Sequence, residues 1–217
     1  MKKLNKTTDT QKYLLAGALT QPFLPKIEFE LKILQLVNQN LNNGEYFTTI
    51  DAVLNFIHKQ IIPTTKNQQK LKFKFNRTAQ EIWQSGFATG CTDYALVFCC
   101  LMRLLKVPTT FVAAAGQNYV NQLKSGNSPQ MHNGHTFCEC YCSYGKVETQ
   151  KSWVLVDPTA CKVVLNHSTN KNIVLPYNVG NESTFVPYFR DLDFGSKTTI
   201  EDWNKKMDNI LKINNIN

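Results

Sequence analysis

The stretch GFATGCTDYALVFCCLMRLLKVP, residues 86–108, contains the longest apolar run of the chain, at residues 94–102. Around this run, apolar side chains recur at three- and four-residue steps, which predicts a helix with one continuous buried stripe. The helix ends before Pro108, because proline lacks an N–H and disfavours helical backbone in the residue before it. A thiol, Cys91, stands at the start of this helix, directly after Gly90.

The position of Cys91 favours a reactive thiol. The unpaired N–H groups and the dipole of a helix N-terminus stabilise a thiolate, and the N–H of Cys91 itself is suited to binding an oxyanion. We expect Gly90 to allow a sharp turn and a close approach of the substrate. Cys99 and Cys100 lie about two turns further along and lack these donors, so we expect them to pack in or near the core.

A nucleophilic thiol needs a base, and histidine is the side chain best suited to that task at neutral pH. The chain has four histidines. His58 falls on a predicted second helix and is expected at the surface, and His167 falls in a polar loop. His132 and His135 precede a predicted strand. We expect His135 to be the base, because it opens the strand and is therefore held rigidly.

Two predicted strands, residues 135–142 and 152–156, form a hairpin around a polar turn. If His135 pairs with Asp157, the turn centres on Lys146 and the carboxylate lies within cross-strand reach of the imidazole. A carboxylate there holds the tautomer of the ring and stabilises its cation. Glu139 shares the face of His135, and we expect it to be a charge at the rim of the cleft.

Three blocks of residues occur in a characteristic order: Gly90-Cys91-Thr92-Asp93-Tyr94-Ala95 with Arg103 and Val107-Pro108, then Gly134-His135-x-Phe137-x-Glu139-x-Tyr141, then Trp153-Val154-x-Val156-Asp157-Pro158-Thr159. Over about residues 75–160 the chain thereby resembles the transglutaminase-like superfamily of papain-fold cysteine enzymes. The resemblance implies that Cys91 is the nucleophile, His135 the general base and acid, and Asp157 the group that orients the imidazole.

The order of the predicted elements indicates an α+β fold. Helices fill the first third, including one that begins with the capping-box spacing Thr78-x-x-Glu81, and an antiparallel sheet follows. We expect a papain-like, transglutaminase-like core in which the nucleophile helix packs on that sheet. The predicted organisation is one domain, 1–217, with a helical part at 1–74, a catalytic core at 75–160 and a C-terminal part at 161–217 that closes the domain. Residues 117–134 are predicted to be a long loop bordering the cleft, and residues 200–210 a last helix capped by Thr199.

Charge, hydropathy and cysteine content indicate which partners and which cellular location to expect. The net charge is +8, from 24 Lys and Arg against 16 Asp and Glu, but the basic residues are dispersed, so we expect no nucleic-acid partner. No apolar run reaches the roughly 20 residues of a membrane span, so no membrane partner is expected either. Seven cysteines, an odd number, indicate reduced thiols and a cytoplasmic location.

A metal site is the alternative functional interpretation of the later cysteines. Cys138, Cys140, Cys142 and Cys161 could bind zinc together with His132. The first three alternate with larger side chains along one strand, which favours a buried strand face instead. We therefore expect no metal and no other cofactor.

The resemblance implies a cysteine-dependent amide hydrolase, of protease or amidase type, that forms an acyl-enzyme thioester at Cys91 on a protein or peptide substrate. Two alternatives stay open: a protein-glutamine acyltransferase that cross-links or deamidates, and a non-catalytic binding module that keeps the fold. The backbone N–H of Trp83 or Gln84 is a candidate second oxyanion donor. The alternative is that the Trp83 indole packs in the core and the Gln84 amide lies at the surface. The sequence does not determine the substrate or the oligomeric state.

Overall fold

The computed structural model describes residues 10–42, 49–64, 72–126, 133–143, 151–165 and 167–213. A short 3-10 helix, Gln11–Leu14, precedes the first α-helix. The described α-helices are α1 (Lys26–Asn42), α2 (Thr49–Gln60), α3 (Ala79–Ser85), α4 (Cys91–Leu104), α5 (Gln117–Lys124) and α6 (Ile200–Ile213). In this part of the chain, no helix is both long enough and apolar enough to cross a bilayer.

The strands form one large sheet and one small one. The short strands β1 (Ile62–Pro63) and β2 (Phe87–Ala88) pair in parallel. The large sheet has the order β6-β5-β4-β3-β8-β7, and its neighbouring strands are antiparallel. Its members are β3 (Thr109–Gly116), β4 (Gly134–Cys142), β5 (Ser152–Asp157), β6 (Lys162–Val164), β7 (Ile173–Val179) and β8 (Glu182–Asp191). The α+β prediction is therefore confirmed, whereas the single-domain boundary 1–217 stays a prediction.

The two faces of the sheet bury different clusters, as the alternation of strand side chains requires. One face carries Phe111, Cys138 and Val156, which join the large core around α4. Helix α4 is buried at every position from Thr92 to Arg103. The opposite face carries a smaller cluster to which β3, β4, β5, β7 and β8 all contribute: Val112, Ala114, Phe137, Leu155, Ile173, Leu175 and Phe185.

Several predicted boundaries are confirmed by local contacts. Thr78 Oγ1 accepts from the Glu81 N–H at 3.2 Å, and Glu81 Oε2 accepts from the Thr78 N–H at 2.7 Å, which completes the capping box. Helix α3 ends at Gly86, whose φ of 67° is the left-handed conformation that glycine adopts readily. Thr199 Oγ1 accepts from the Asp202 N–H at 3.1 Å at the start of α6.

One prediction for the second half is wrong: the predicted loop at 117–134 begins with helix α5. Residues 127–132 of it lie outside the described residues. In the C-terminal part, β8 pairs with β3 in the interior of the sheet, and the prediction that this part closes the domain stays a prediction. Register shifts interrupt both the β3–β8 and the β7–β8 pairings. Such shifts break the two-residue alternation on which strand prediction depends.

A buried ion pair fixes the start of α4. Asp93 Oδ2 accepts from the N–H and the hydroxyl of Thr89, both at 2.7 Å, and from Arg77 at 2.5 Å. Arg77 and Asp93 are both buried. Gly90 itself is extended, with a φ of 165°, and a Cβ there would meet no atom closer than Lys74 Cε at 3.9 Å. The expected sharp turn at Gly90 is therefore wrong, and the Asp93 contacts hold this junction.

We predict that Asp93→Ala lowers the free energy of unfolding by about 3–5 kcal/mol, because it leaves the Arg77 cation buried without its carboxylate. Urea denaturation followed by circular dichroism measures the effect. Glu30→Ala is the matched control: it breaks the exposed Lys26–Glu30 pair, at 3.2 Å, and should cost less than about 1 kcal/mol. Equal losses in the two variants would contradict the role given to Asp93.

Candidate active site

Cys91 is the first residue of α4 and is partly exposed, whereas the helix is buried from Thr92 to Arg103. Its Sγ lies 3.6 Å from the hydroxyl of Thr136, which in turn lies 3.2 Å from the Thr92 hydroxyl. Thr136 belongs to β4 and therefore ties the start of the helix to the start of that strand. The position of the thiol is thus set by two elements rather than by a loop.

His135 precedes Thr136 on β4 and so starts on the face of the sheet that is opposite α4. Its ring packs against Phe137, with centroids 4.7 Å apart, and more loosely against Phe185 at 6.1 Å. The imidazole is 7% exposed and lines the same cavity as the Cys91 thiol. Because His135 lies near the end of its strand, its ring can reach the thiol around that end.

The His135 Nε2 atom lies 3.0 Å from Asp157 Oδ1. The distance is short, but the alignment is poor for a hydrogen bond: among the described residues, Nε2 has no acceptor in favourable geometry. It is therefore an ionic contact. The imidazole shares the cavity with the thiol and contacts the carboxylate.

The contact between His135 and Asp157 arises from a different register than the predicted one. The observed ladder pairs Cys138 with Val156 and Glu139 with Leu155, which shifts β5 by two residues and makes the predicted direct pairing of His135 with Asp157 wrong. A shift of two preserves the face on which each side chain lies. Asp157 therefore remains on the face of His135 and reaches it diagonally.

Asp157 is fully buried and is held by further donors. The backbone N–H groups of Thr159 and Ala160 donate to Oδ1 at 3.0 and 3.1 Å, and the hydroxyl of Tyr177 donates to Oδ2 at 3.0 Å. Tyr177 lies on β7, at the other side of the sheet order, so the sheet must curl to bring it to β5. Sequence analysis missed Tyr177, because no pattern within β7 indicates where that curl places it.

The pKa values of the two reacting groups shift in opposite directions. Burial raises the pKa of the Cys91 thiol, but the neighbouring His135 cation, Thr136 and Lys74 together outweigh it and lower that pKa to about 7. Burial lowers the pKa of His135, but the Cys91 thiolate and Asp157 outweigh it and raise that pKa to about 10. Burial likewise raises the pKa of Asp157, and contacts with His135, Ala160 and Tyr177 bring it below its ordinary value. Between pH 7 and 10 the site therefore holds a thiolate–imidazolium pair.

A cavity of about 270 Å³ opens onto the thiol and the imidazole. Its walls come from the turn before α3, the starts of α4 and β4, strand β8 and helix α6, and its lining residues are Lys74, Phe75, Cys91, Thr92, Gly134, His135, Thr136, Tyr188, Ile200, Trp203 and Asn204. The C-terminal part of the chain, absent from the sequence motifs, thus supplies one whole wall.

The candidate oxyanion donors do not line this cavity. Trp83 stacks on Phe56 at 5.1 Å and borders a separate cavity beside α1 and α2. Gln84 follows it on α3 and is exposed. The Trp83 indole therefore packs against the core, and the Gln84 amide lies at the surface, as the alternatives to a donor role predict. The Cys91 N–H, at the start of α4, remains as a candidate oxyanion donor.

Two other sequence expectations are corrected. Glu139 is not a rim charge: it is 1% exposed and contacts His167 Nε2 at 2.7 Å and Arg190 Nε at 3.2 Å. His167 lies outside the helices and strands, as predicted, and its side chain is buried against Glu139. His58 is not a surface residue, because it stacks on Tyr94 and meets the carbonyl oxygen of Pro158 at 2.7 Å.

The remaining cysteines lie apart from the cavity. Cys138 and Cys140 are buried against α4, and the Cys138 Sγ lies 3.5 Å from the Cys99 Sγ. Cys142 is partly exposed and Cys161 is exposed. His132 lies outside the described residues. Within the described ranges, no three His, Cys, Asp or Glu side chains form a metal-binding group.

No family model and no curated protein matches this sequence. Among solved structures, the fold is similar to that of "a Putative Cysteine Protease from Cytophaga hutchinsonii", with a TM-score of 0.46 and 15% sequence identity. The similarity covers 86% of this chain and 48% of that chain, so this chain spans about half of that protein's length. A functional proposal must therefore depend on the geometry of the site itself.

We predict that alkylation of Cys91 by iodoacetamide rises with a midpoint near pH 7, below the ordinary thiol value of 9.0. His135→Ala should move the midpoint upward, because it removes the cation while the burial that opposes ionisation stays. Peptide mapping after timed alkylation gives the rate at each cysteine. Cys142 is the internal control, since burial raises its pKa to about 11. Parallel pH profiles for the two thiols would contradict the ion pair.

We predict that Tyr177→Phe lowers the free energy of unfolding by about 1.5–3 kcal/mol, because a buried hydrogen bond to a charged carboxylate is lost. Tyr141→Phe is the control, since Tyr141 packs on Trp153 through its ring, with centroids 5.4 Å apart. Urea denaturation of both variants tests the difference. A Tyr177→Phe variant as stable as the control would show that this hydroxyl does not hold Asp157.

Proposed function

We propose that the chain is a cysteine-dependent amide hydrolase of the transglutaminase-like type, with Cys91, His135 and Asp157 as its catalytic triad. One observation carries the proposal: a thiol, an imidazole and a carboxylate from α4, β4 and β5 meet beside one cavity. The opposite pKa shifts of Cys91 and His135 support it, because a nucleophilic thiolate and a proton-donating imidazolium are the forms that this chemistry needs.

The first half-reaction forms a thioester. The Cys91 thiolate attacks the carbonyl carbon of the amide, and the carbonyl oxygen becomes an oxyanion beside the N-terminus of α4, where the Cys91 N–H donates to it. The His135 imidazolium then transfers its proton to the leaving nitrogen, the C–N bond breaks, and the amine departs. The acyl group stays on Sγ.

The second half-reaction reverses the roles. Neutral His135 takes a proton from water as the water oxygen attacks the thioester carbon. The C–S bond breaks, the carboxylic acid leaves, and the thiolate–imidazolium pair returns. Asp157 acts throughout by stabilising the imidazolium and holding the ring in place, and the donors from Thr159, Ala160 and Tyr177 fix the carboxylate in turn.

Hydrolysis of p-nitrophenyl acetate tests the proposal without a known natural substrate. We expect an acetyl group on Cys91 in the intact mass spectrum and steady release of nitrophenolate. Cys91→Ala and His135→Ala should each reduce the rate at least about 10³-fold, the scale at which triad members act. Cys161→Ser, at an exposed thiol, is the matched control and should keep the rate.

The same assay separates the competing functions. Acetylation of Cys91 followed by transfer to an added primary amine, in preference to water, would indicate an acyltransferase. A chain that is not acetylated at Cys91, and whose seven thiols all alkylate slowly and uniformly, would be a binding module and would overturn the proposal.

A further inference from the structure

Lys74 is a cation at the cavity that lies outside the proposed triad. It lines the cavity together with Cys91 and His135, and its Cε lies 3.9 Å from the position of a Cβ built on Gly90. No Asp or Glu is among the cavity's described lining residues, and Lys74 forms no ion pair within the described part of the chain. Apart from the Cys91 thiolate, the cavity is thus lined by cationic and neutral groups.

The backbone at Phe75 holds Lys74 in this place. Phe75 has a φ of 61°, a left-handed conformation that is strained for a bulky residue. Its carbonyl oxygen accepts from the Thr198 N–H at 2.9 Å, and its ring packs on Trp203 at 5.5 Å and Phe194 at 6.1 Å. The contacts that keep Phe75 in this conformation therefore also fix the direction of the chain at Lys74.

The wall next to Lys74 is apolar. Tyr188 of β8 and Ile200 and Trp203 of α6 line it, and Asn204 adds an amide. These α6 residues are spaced by three and four, so they share one face of the helix. The acidic residues of the same turn, Glu201 and Asp202, are exposed and do not line the cavity.

We propose that Lys74 binds a carboxylate of the substrate, so that the preferred acyl donor carries an acidic group near the scissile carbonyl and an apolar group against Trp203 and Tyr188. This inference rests on the proposed function, since it names the substrate class of the same site. A lysine with no carboxylate partner in a cavity walled by aromatic rings presents the complement of such a group: a charge-assisted donor beside apolar surface.

Two small alkylating agents of nearly the same size, iodoacetate and iodoacetamide, test the charge preference directly at Cys91. We measure both rates near pH 9, where the Cys91 thiol is ionised, and compare their ratio between variants. Lys74→Gln and Lys74→Glu should lower the iodoacetate-to-iodoacetamide ratio by about fivefold and tenfold or more, the scale of a lost charge-assisted hydrogen bond. Any preference that His135 confers is common to all the variants and cancels in the comparison.

Lys72→Glu is the matched control. Lys72 lies two residues earlier, also beside an aromatic ring, with its Nζ 5.2 Å from the Phe73 centroid, as the Lys74 Nζ is 5.2 Å from the Phe75 centroid. Lys72 does not line the cavity. Lys72→Glu changes the net charge by the same amount as Lys74→Glu. The ratio should stay within about twofold of the wild-type value, since a distant exposed charge is screened by salt.

The outcomes separate the two proposals. A Cys91 that reacts no faster than the other thiols would refute the proposed function. A reactive Cys91 whose ratio does not depend on Lys74 would refute the carboxylate site and leave the function standing. Equal losses with both reagents would show that Lys74 only stabilises the thiolate, which also overturns the inference.

A substrate assay gives the matching result for catalysis. Peptide amides that differ only by Glu or Gln beside the scissile bond should differ in KM in the wild type, with the acidic peptide binding more tightly. Lys74→Gln should remove that difference in KM while the ratio of the two kcat values stays near its wild-type value. A preference that survives in Lys74→Gln would contradict the assignment.

Discussion

The buried contact between Arg77 and Asp93 is the constraint on which the site depends. Helix α4 is enclosed from Thr92 to Arg103, so at its N-terminal end only the first residue can meet the solvent and a substrate. Asp93 fixes the backbone at Thr89, and Arg77 neutralises the carboxylate two residues from the thiol. Without that neutralisation, a buried negative charge so close to Cys91 would oppose formation of the thiolate. The same pair therefore positions the nucleophile and keeps its surroundings compatible with ionisation.

Each charge of the proposed triad lies beside a group that stabilises it. The Cys91 thiolate lies beside the His135 cation, His135 lies beside Asp157, and Asp157 accepts from two backbone N–H groups and a tyrosine. The tyrosine has no positive charge, and burial, followed by the adjacent carboxylate, raises its pKa far above the ordinary value, so the series ends in a neutral donor. A buried series that ends this way leaves no unpaired charge, which is the arrangement that a low-dielectric interior requires.

The sequence predicts the parts of this site that depend on local rules. The apolar period of α4, the capping box at Thr78 and the alternation of β4 and β5 each follow from a few neighbouring residues. The contact between His135 and Asp157 survives an error of two in the predicted register, because the face of a strand depends only on parity. Tyr177 and Lys74 follow no such rule. The position of Tyr177 depends on the curl of the sheet, and that of Lys74 on the left-handed Phe75, which Thr198 holds. Glu139 is buried with His167 and Arg190, which converge on it from distant segments.

The division between predictable and unpredictable residues has a structural cause. The groups of the proposed triad lie between residues 91 and 157, on elements whose patterns are regular, and their geometry must be fixed closely for a proton to move between them. The cavity wall is built from the turn at residues 72–75, from β8 and from the start of α6, which meet through the hydrogen bond from Thr198 to Phe75 and the ring contacts of Trp203. Substitutions of the side chains that line that wall can alter which acyl group fits while Thr136 and the start of α4 still hold the thiol. Under the proposed function, the residues that would perform the chemistry are thus distinct from those that would select the substrate.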